Sequence, residues 1–498
     1  MSSLKTQIMT ASDIVTEFEA CVETHRKLGI EDDTARAYRF YEGDQWYGLE
    51  SGDEELPVYN FIAPIVRYKT AMVAMNSMSV NYSAPVSDSR VQAICASLSR
   101  MAAQKWERLK LDSKCWDVVR DAMIAGDSYL YFYDGDGACQ VIDRTDIFMG
   151  DESDTDINAQ PYIFIKERRS VADVRADAEK NGISKEVALT ILADEDDEDY
   201  GKDKCLSLLK MWRVGDDLHF LRTTKTVVYQ PETVIRNMRV YPIASLVCNR
   251  KRGTARGVGE VLPLIPNQIE INRNLARRLV NAKLTAYSRL VYSADRIVNP
   301  TALTEVGTAI EVEGGGVSTI KDAVNYLTPS SMSPDAKALS DELLSVTKDL
   351  SGAGDAALGN IDPTQASGSA IIAVRDQAAL PLNEHTARFK QFAEDIANIW
   401  FRLWIVYNPE GLLLPDGSEV SVRELELMSP DVRIDISNTN PFSKFAREQA
   451  LEKLFTMGQI TFEEYVSALD DDSSVPKSKL EQILKNRGGN INVNRTDK

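Results

Sequence analysis

The chain has 498 residues, 43% of them hydrophobic and 27% charged, an ordinary soluble composition with material for roughly two to four domains. Its formal net charge of −18 argues against tight, sequence-independent nucleic-acid binding, which needs clustered Lys and Arg, but is compatible with a weak sliding contact. Cys21, Cys95, Cys115, Cys139, Cys205 and Cys248 show no C-x-x-C spacing, so small buried thiols in a reducing compartment are expected rather than disulfides. The stretch Met1–Gln7 has no apolar core and no run approaches a membrane span, so neither secretion nor insertion is expected.

Apolar positions Ile14, Phe18, Cys21, Val22, His25 and Leu28 predict a helix over 12–29, followed by a short one over 34–41 ending at Gly43. Residues 44–48 read as a turn, and 58–62 enter a helix to about Met75 with Pro64 in its first turn. Val80–Ser83 alternates like a strand; 90–109 and 113–125 read as helices. The pattern then changes. Ser128–Tyr133 and Cys139–Ile142 flank Asp134-Gly-Asp-Gly137, a hairpin signal, and 162–166, 206–214, 217–221 and 226–229 read as further strands. Helices are expected at 170–181 and 184–192. A helix-rich α+β class follows, helices first and then a mostly antiparallel sheet.

The stretch Gly257–Trp404 is different. A helix over 267–284 places Ile265, Ile269, Ile271, Leu275, Ala276, Leu279, Val280 and Ala282 on one half of its wheel, with Glu270, Arg273, Asn274, Arg277 and Asn281 on the other. A second helix over 334–350 carries the stripe Ala336, Leu339, Leu343, Val346, Leu350, with Ser333 as N-cap, Pro334 at N1 and Gly352 as stop. Such a pair can lie antiparallel and return the chain to where it left, with the strand-rich excursion 285–333 between. A Gly-rich loop, 352–368, leads into a long helix towards Tyr407 that Pro381 kinks or breaks. A short sheet (411–415 and 432–436 about the turn Asp416-Gly417) and helices at 441–457, 461–469 and 477–486 end the chain.

Catalytic signatures are missing. His25, His219 and His385 are the only histidines, none placed beside another, and neither a phosphate-binding G-x-x-x-x-G-K-[ST] loop nor a G-x-S-x-G elbow occurs. Residues 151–156 and 194–199 are acidic, but counting from Asp154 an EF-hand needs Gly and Glu where Ala159 and Ile165 stand, so solvated loops are expected. Trp212, Trp400 and Trp404 read as core, and Gly253–Gly259 as a flexible lead-in to the helix. The cations Arg250, Lys251, Arg252 and Arg256 form the sharpest basic cluster, read either as a solvated loop or as a phosphate contact; Arg273, Arg277 and Lys283 follow on the first helix. No catalytic residue, cofactor or metal is expected.

Three stretches together resemble the portal proteins of tailed bacteriophages: Tyr41–Trp46 with Val58–Ile65 and Ala71–Met75; Gly257–Arg273; and Ala357–Ile371 leading into Ile399–Trp404. The resemblance lies in their order and spacing over most of the chain. It implies a ring at one capsid vertex, usually of twelve subunits, with 1–256 and 367–440 as wing, 257–284 and 334–351 as stem helices, 285–333 as clip, 352–366 as tunnel loop and 441–498 as crown and tail. It also implies that Asp355, Asn360, Asp362, Thr364 and Gln365 face double-stranded DNA in the channel. Portals have no enzymatic activity of their own. The implied partners are copies of the chain, the terminase large subunit, major capsid and scaffolding proteins, and head-completion or tail adaptor proteins, with no membrane; the location is the virion, and host cytoplasm during assembly. Two rivals stay open, another phage structural or adaptor protein and a metal-dependent cytosolic hydrolase using the acidic clusters.

Overall fold

The computed structural model describes residues 9–49, 56–75, 77–84, 88–194, 203–286, 289–314, 323–327, 334–354, 380–415, 417–428, 431–437, 441–469 and 479–480. The first part of the chain runs α1 (Ala11–Leu28), α2 (Ile30–Glu42), α3 (Ile62–Ala74), β1 (Ser77–Ser83), α4 (Ser89–Arg108), α5 (Leu111–Ala125), β2 (Asp127–Phe132), β3 (Cys139–Ile142), β4 (Ile147–Met149) and β5 (Tyr162–Ser170). Next come α6 (Val171–Lys180), α7 (Lys185–Ala188), β6 (Lys204–Val214), β7 (Asp217–Thr223), β8 (Val228–Ile235), β9 (Ile243–Val247), β10 (Asn249–Arg250) and β11 (Gly257–Val258). The remainder is α8 (Ile265–Ala286), β12 (Arg289–Tyr292), β13 (Val324–Leu327), α9 (Asp335–Leu350), α10 (Asn383–Tyr407), β14 (Leu412–Leu413), β15 (Glu419–Val420), α11 (Val422–Met428), β16 (Asp431–Ser437), α12 (Pro441–Thr456) and α13 (Phe462–Ala468). The class is helix-rich α+β. Two compact units result, one of Met1–Tyr38, Ile65–Leu262 and Asp355–Lys498, the other of Arg39–Pro64 and Pro263–Gly354.

The two larger antiparallel sheets among the described residues, β3-β2-β9 and β4-β5-β6-β7-β8, belong to the larger unit. The Asp-Gly hairpin forms as expected, pairing Phe132 with Cys139, and β2 is buried at every residue because it is the central strand. Its second partner β9 was not expected; a five-residue run ending in Ser-Leu-Val offers no clear alternation. Against the five-stranded sheet lies α1, whose Ile14, Phe18 and Cys21 meet Phe148, Phe164, Leu208 and Leu221. Thr10 and Asp13 form a capping box at its start, and Gly29 at φ 71° ends it, the left-handed position that favours glycine.

Helix α10 is the core helix of this unit. Phe389, Phe392, Ile396, Ile399, Trp400 and Leu403, the expected stripe, are all buried, and Trp400 meets Trp106 and Phe132 edge-on at 6.1 and 6.4 Å. Pro381 sits in a 3-10 turn (Leu380–Leu382) just before the helix; residues 367–379, where the helix was expected to begin, lie outside the described residues. Strand β1 pairs with β16, more than 300 residues away in sequence, and Tyr82 donates its hydroxyl to Ala397 O at 2.8 Å. The expected sheet over 411–436 is thus divided: β14 pairs with β15, while β16 joins β1.

The smaller unit is built on α8 and α9. Asn267 Nδ2 donates to Thr347 Oγ1 (2.9 Å), and Asn274 Nδ2 to Ser340 Oγ (2.7 Å) and Ala336 O (2.8 Å). Rising numbers on one helix meet falling numbers on the other, so the pair is antiparallel, as expected. Strands β12 and β13 pair within the excursion between them. The buried face of α8 differs from the expected apolar half. Gln268, Asn272 and Asn274 are buried with Ile265 and Ile271, whereas Leu279 and Ala282 are exposed. The reason is segment 39–64: Gln268 binds Tyr59 O (2.7 Å) and Phe61 N (3.2 Å), and Asn272 binds Tyr59 N (3.0 Å) and Gln45 Oε1 (2.5 Å). These amides satisfy an irregular backbone that apolar side chains would leave unpaired. Likewise Leu339, Val346 and Leu350 of the α9 stripe are exposed and Thr347 is buried instead. The helix starts at Asp335 with Pro334 in the cap position and no side-chain cap; Ser333 lies outside the described residues.

Candidate functional site

The segment 248–260 carries the basic cluster and is far from a flexible lead-in. Glycine permits its close seating. A Cβ on Gly257 would stand 2.2 Å from Gly126 O, and one on Gly259 2.1 Å from Ile124 O, so both residues lie backbone-to-backbone on the α5–β2 junction. Gly257 N donates to Asp127 Oδ1 (3.0 Å), and Glu260 N to Met123 O (2.7 Å).

Arg256 corrects the expectation of a phosphate contact: it is buried, 3% exposed. Its guanidinium grips Glu152 bidentately, Nε to Oε2 at 2.8 Å and Nη2 to Oε1 at 2.7 Å. It also donates to Ile147 O (2.7 Å), Arg144 O (3.2 Å) and His25 Nε2 (2.8 Å), and lies 3.3 Å from Asp127 Oδ2. Arg144 completes the set with Asp127 Oδ1 at 3.2 Å. Burial alone would push the Glu152 carboxyl up; the hydrogen bonds and charge of Arg256 outweigh it and hold the group down at about 2. Burial keeps the His25 imidazole below its ordinary range, so it stays neutral and accepts from Arg256. Glu152 is therefore the exception in the acidic loop 151–156, whose Asp151, Asp154 and Asp156 accept from backbone N–H groups two residues on, at 2.9 Å each.

Arg250, Lys251 and Arg252 form the exposed tip of the β10–β11 hairpin, held from below by Arg256. Three cations thus stand on a fixed base in an acidic chain. On α8, Arg273 is exposed and paired with Glu270 at 2.8 Å, and Arg277 and Lys283 are exposed. Asp355, Asn360, Asp362, Thr364 and Gln365 lie outside the described residues, as do 195–199 of the second acidic run; Asp194 itself binds Lys225 (2.9 Å) and Leu206 N (2.6 Å). Trp400 and Trp404 are core as expected, and Trp212 stacks on His219 with centroids 5.6 Å apart. One group suited to a metal exists among the described residues, Cys248 with Glu260 and His385. No helix among them is long and apolar enough to cross a membrane.

No protein-family model and no curated protein matches the chain. Among solved structures, a chain of one described as "Neck of native GTA particle computed with C12 symmetry" is similar with a TM-score of 0.40 and 10% identity, covering 82% of this chain and 89% of that chain, a level at which a shared fold does not follow.

Proposed function

We propose that the chain is the subunit of a portal-type ring, a structural DNA conduit at one vertex of a tailed-phage capsid, without enzymatic activity. The observation that carries this reading is the antiparallel pair α8–α9 enclosing the β12–β13 excursion, the order stem helix, clip, stem helix. Two further features support it. Leu279, Leu339, Val346 and Leu350 expose apolar surface on a helix pair, surface that neighbouring copies would cover. The net charge of −18 suits a wall along which DNA slides without sticking, with Arg250, Lys251 and Arg252 as a local contact. In this reading the terminase motor docks at 285–333 during packaging, and head-completion or tail proteins follow.

Electron microscopy of the purified full-length protein tests it. The expected particle is a ring with a hole wide enough for a DNA duplex, about 20 Å plus clearance. A monomer at high concentration, or metal-dependent hydrolytic turnover by a monomer, would overturn the reading.

A further inference from the structure

Two side chains from one short stretch and a third from far along the sequence meet inside the larger unit. Cys248 sits between β9 and β10, Glu260 follows β11, and His385 lies in the first turn of α10. The Cys248 thiol, a Glu260 carboxylate oxygen and a His385 ring nitrogen all lie within 4.8 Å of one another. Cys248 is 3% exposed and His385 9%. Neither ring nitrogen of His385 makes a hydrogen bond, although Nε2 is 3.5 Å from Glu260 Oε1. A buried imidazole left this way is costly unless something binds it. The Met123 thioether stands 3.6 Å from the Cys248 sulfur and lines the same place.

We propose that Cys248, Glu260 and His385 form a zinc site. Thiolate, imidazole and carboxylate are the donor types Zn²⁺ takes, and three protein ligands leave a fourth position for water. Zinc at about 2.3 Å from sulfur and about 2.0 Å from nitrogen spaces its ligand atoms about 3.5 Å apart; Glu260 Oε1 already stands 3.5 Å from His385 Nε2 and 4.0 Å from Cys248 Sγ. Glu260 is already oriented for this. Lys69 Nζ holds Oε2 at 2.6 Å and Asn249 Nδ2 donates to Oε1 at 2.8 Å, the outer partners that fix a carboxylate ligand. Binding replaces the thiol S–H bond with a Zn–S bond and releases that proton to solvent. Thiolate and carboxylate balance the two charges of the ion; Lys69 remains as a local positive charge and lowers the affinity.

The ion would tie together the last residues before the chain leaves for 263–354 and the first turn of α10 after it. Assembly into a ring is not required for this site.

Full-length protein stripped with a chelator and titrated with Co²⁺ tests the site. We expect one equivalent per chain, a sulfur-to-cobalt charge-transfer band, and displacement by Zn²⁺. Cys248→Ser abolishes the band, His385→Gln weakens binding about tenfold or more, and Cys115→Ser, at another buried thiol, leaves both unchanged, with circular dichroism confirming the fold of each. A wild-type protein without the band, or a band that survives Cys248→Ser, overturns the proposal. Should Cys248→Ser fail to fold, the wild-type spectrum and the His385→Gln titration decide it by the same criteria.

Discussion

Replacing Arg256 with Met removes the guanidinium that anchors the β10–β11 hairpin and leaves Glu152 and Asp127 inside the larger unit. Breaking a buried ion pair by removing one partner costs about 3–5 kcal/mol, because the surviving charge stays buried. Two carbonyls, of Ile147 and Arg144, also lose a donor, which pushes the cost towards the upper end. The depressed Glu152 carboxyl gives an independent figure. Its folded value of about 2 lies below the ordinary 4.5, so its contribution is full above pH 4.5 and is lost as pH falls towards 2. That gap corresponds to about 3 kcal/mol. In the variant the sign reverses: burial without the guanidinium raises the carboxyl, and protonation then relieves the variant. The difference between wild type and variant is therefore largest near neutrality and shrinks as pH falls below 5. Urea unfolding followed by tryptophan fluorescence at fixed protein concentration measures it. With a slope of about 3 kcal/mol/M, the midpoint drops by roughly 1 M at pH 7. Arg250→Met, at the exposed tip, leaves the midpoint within error. Equal midpoints for the two variants, or a difference that stays constant with pH, would refute the assignment of Arg256 as a buried anchor.

Gly259→Ala places a methyl 2.1 Å from Ile124 O, a backbone atom that cannot turn aside, and is expected to lower thermal stability far more than Gly253→Ala, where a Cβ meets nothing and only φ +78° opposes it at about 1 kcal/mol. Asn274→Ala removes two of the hydrogen bonds joining α8 to α9, costs about 1–2 kcal/mol, and should speed limited proteolysis within 263–354 while leaving the rest of the chain resistant. Changing Arg250, Lys251 and Arg252 together to Gln should leave stability unchanged and lower the salt dependence of any DNA retention; a folding defect would make the tip structural.

Local elements were legible because their signals are local. The α1 stripe, the Asp-Gly hairpin and the α10 stripe depend on residues a few positions apart, and the structure has each of them. The antiparallel course of α8 and α9 was also readable, since a chain that leaves on one helix returns on the next. Periodicity misled on what those helices bury. It assigns apolar residues inward, but an irregular segment at 45–61 needs hydrogen-bond partners, and Gln268 and Asn272 supply them. The basic cluster failed as a unit for a similar reason. Four cations looked alike in sequence, yet one lies above two buried carboxylates and three do not, and only the packing of β2, β4 and β11 decides which. What the sequence by itself determined is the class, the longer helices, the hairpin, and the helix–excursion–helix layout, all set by spacing along the chain. What only the tertiary structure decided is the pairing of β1 with β16, the burial of Arg256, and the meeting of Cys248, Glu260 and His385. Those depend on segments separated by more than a hundred residues, whose proximity is fixed by the core as a whole and leaves no periodic trace.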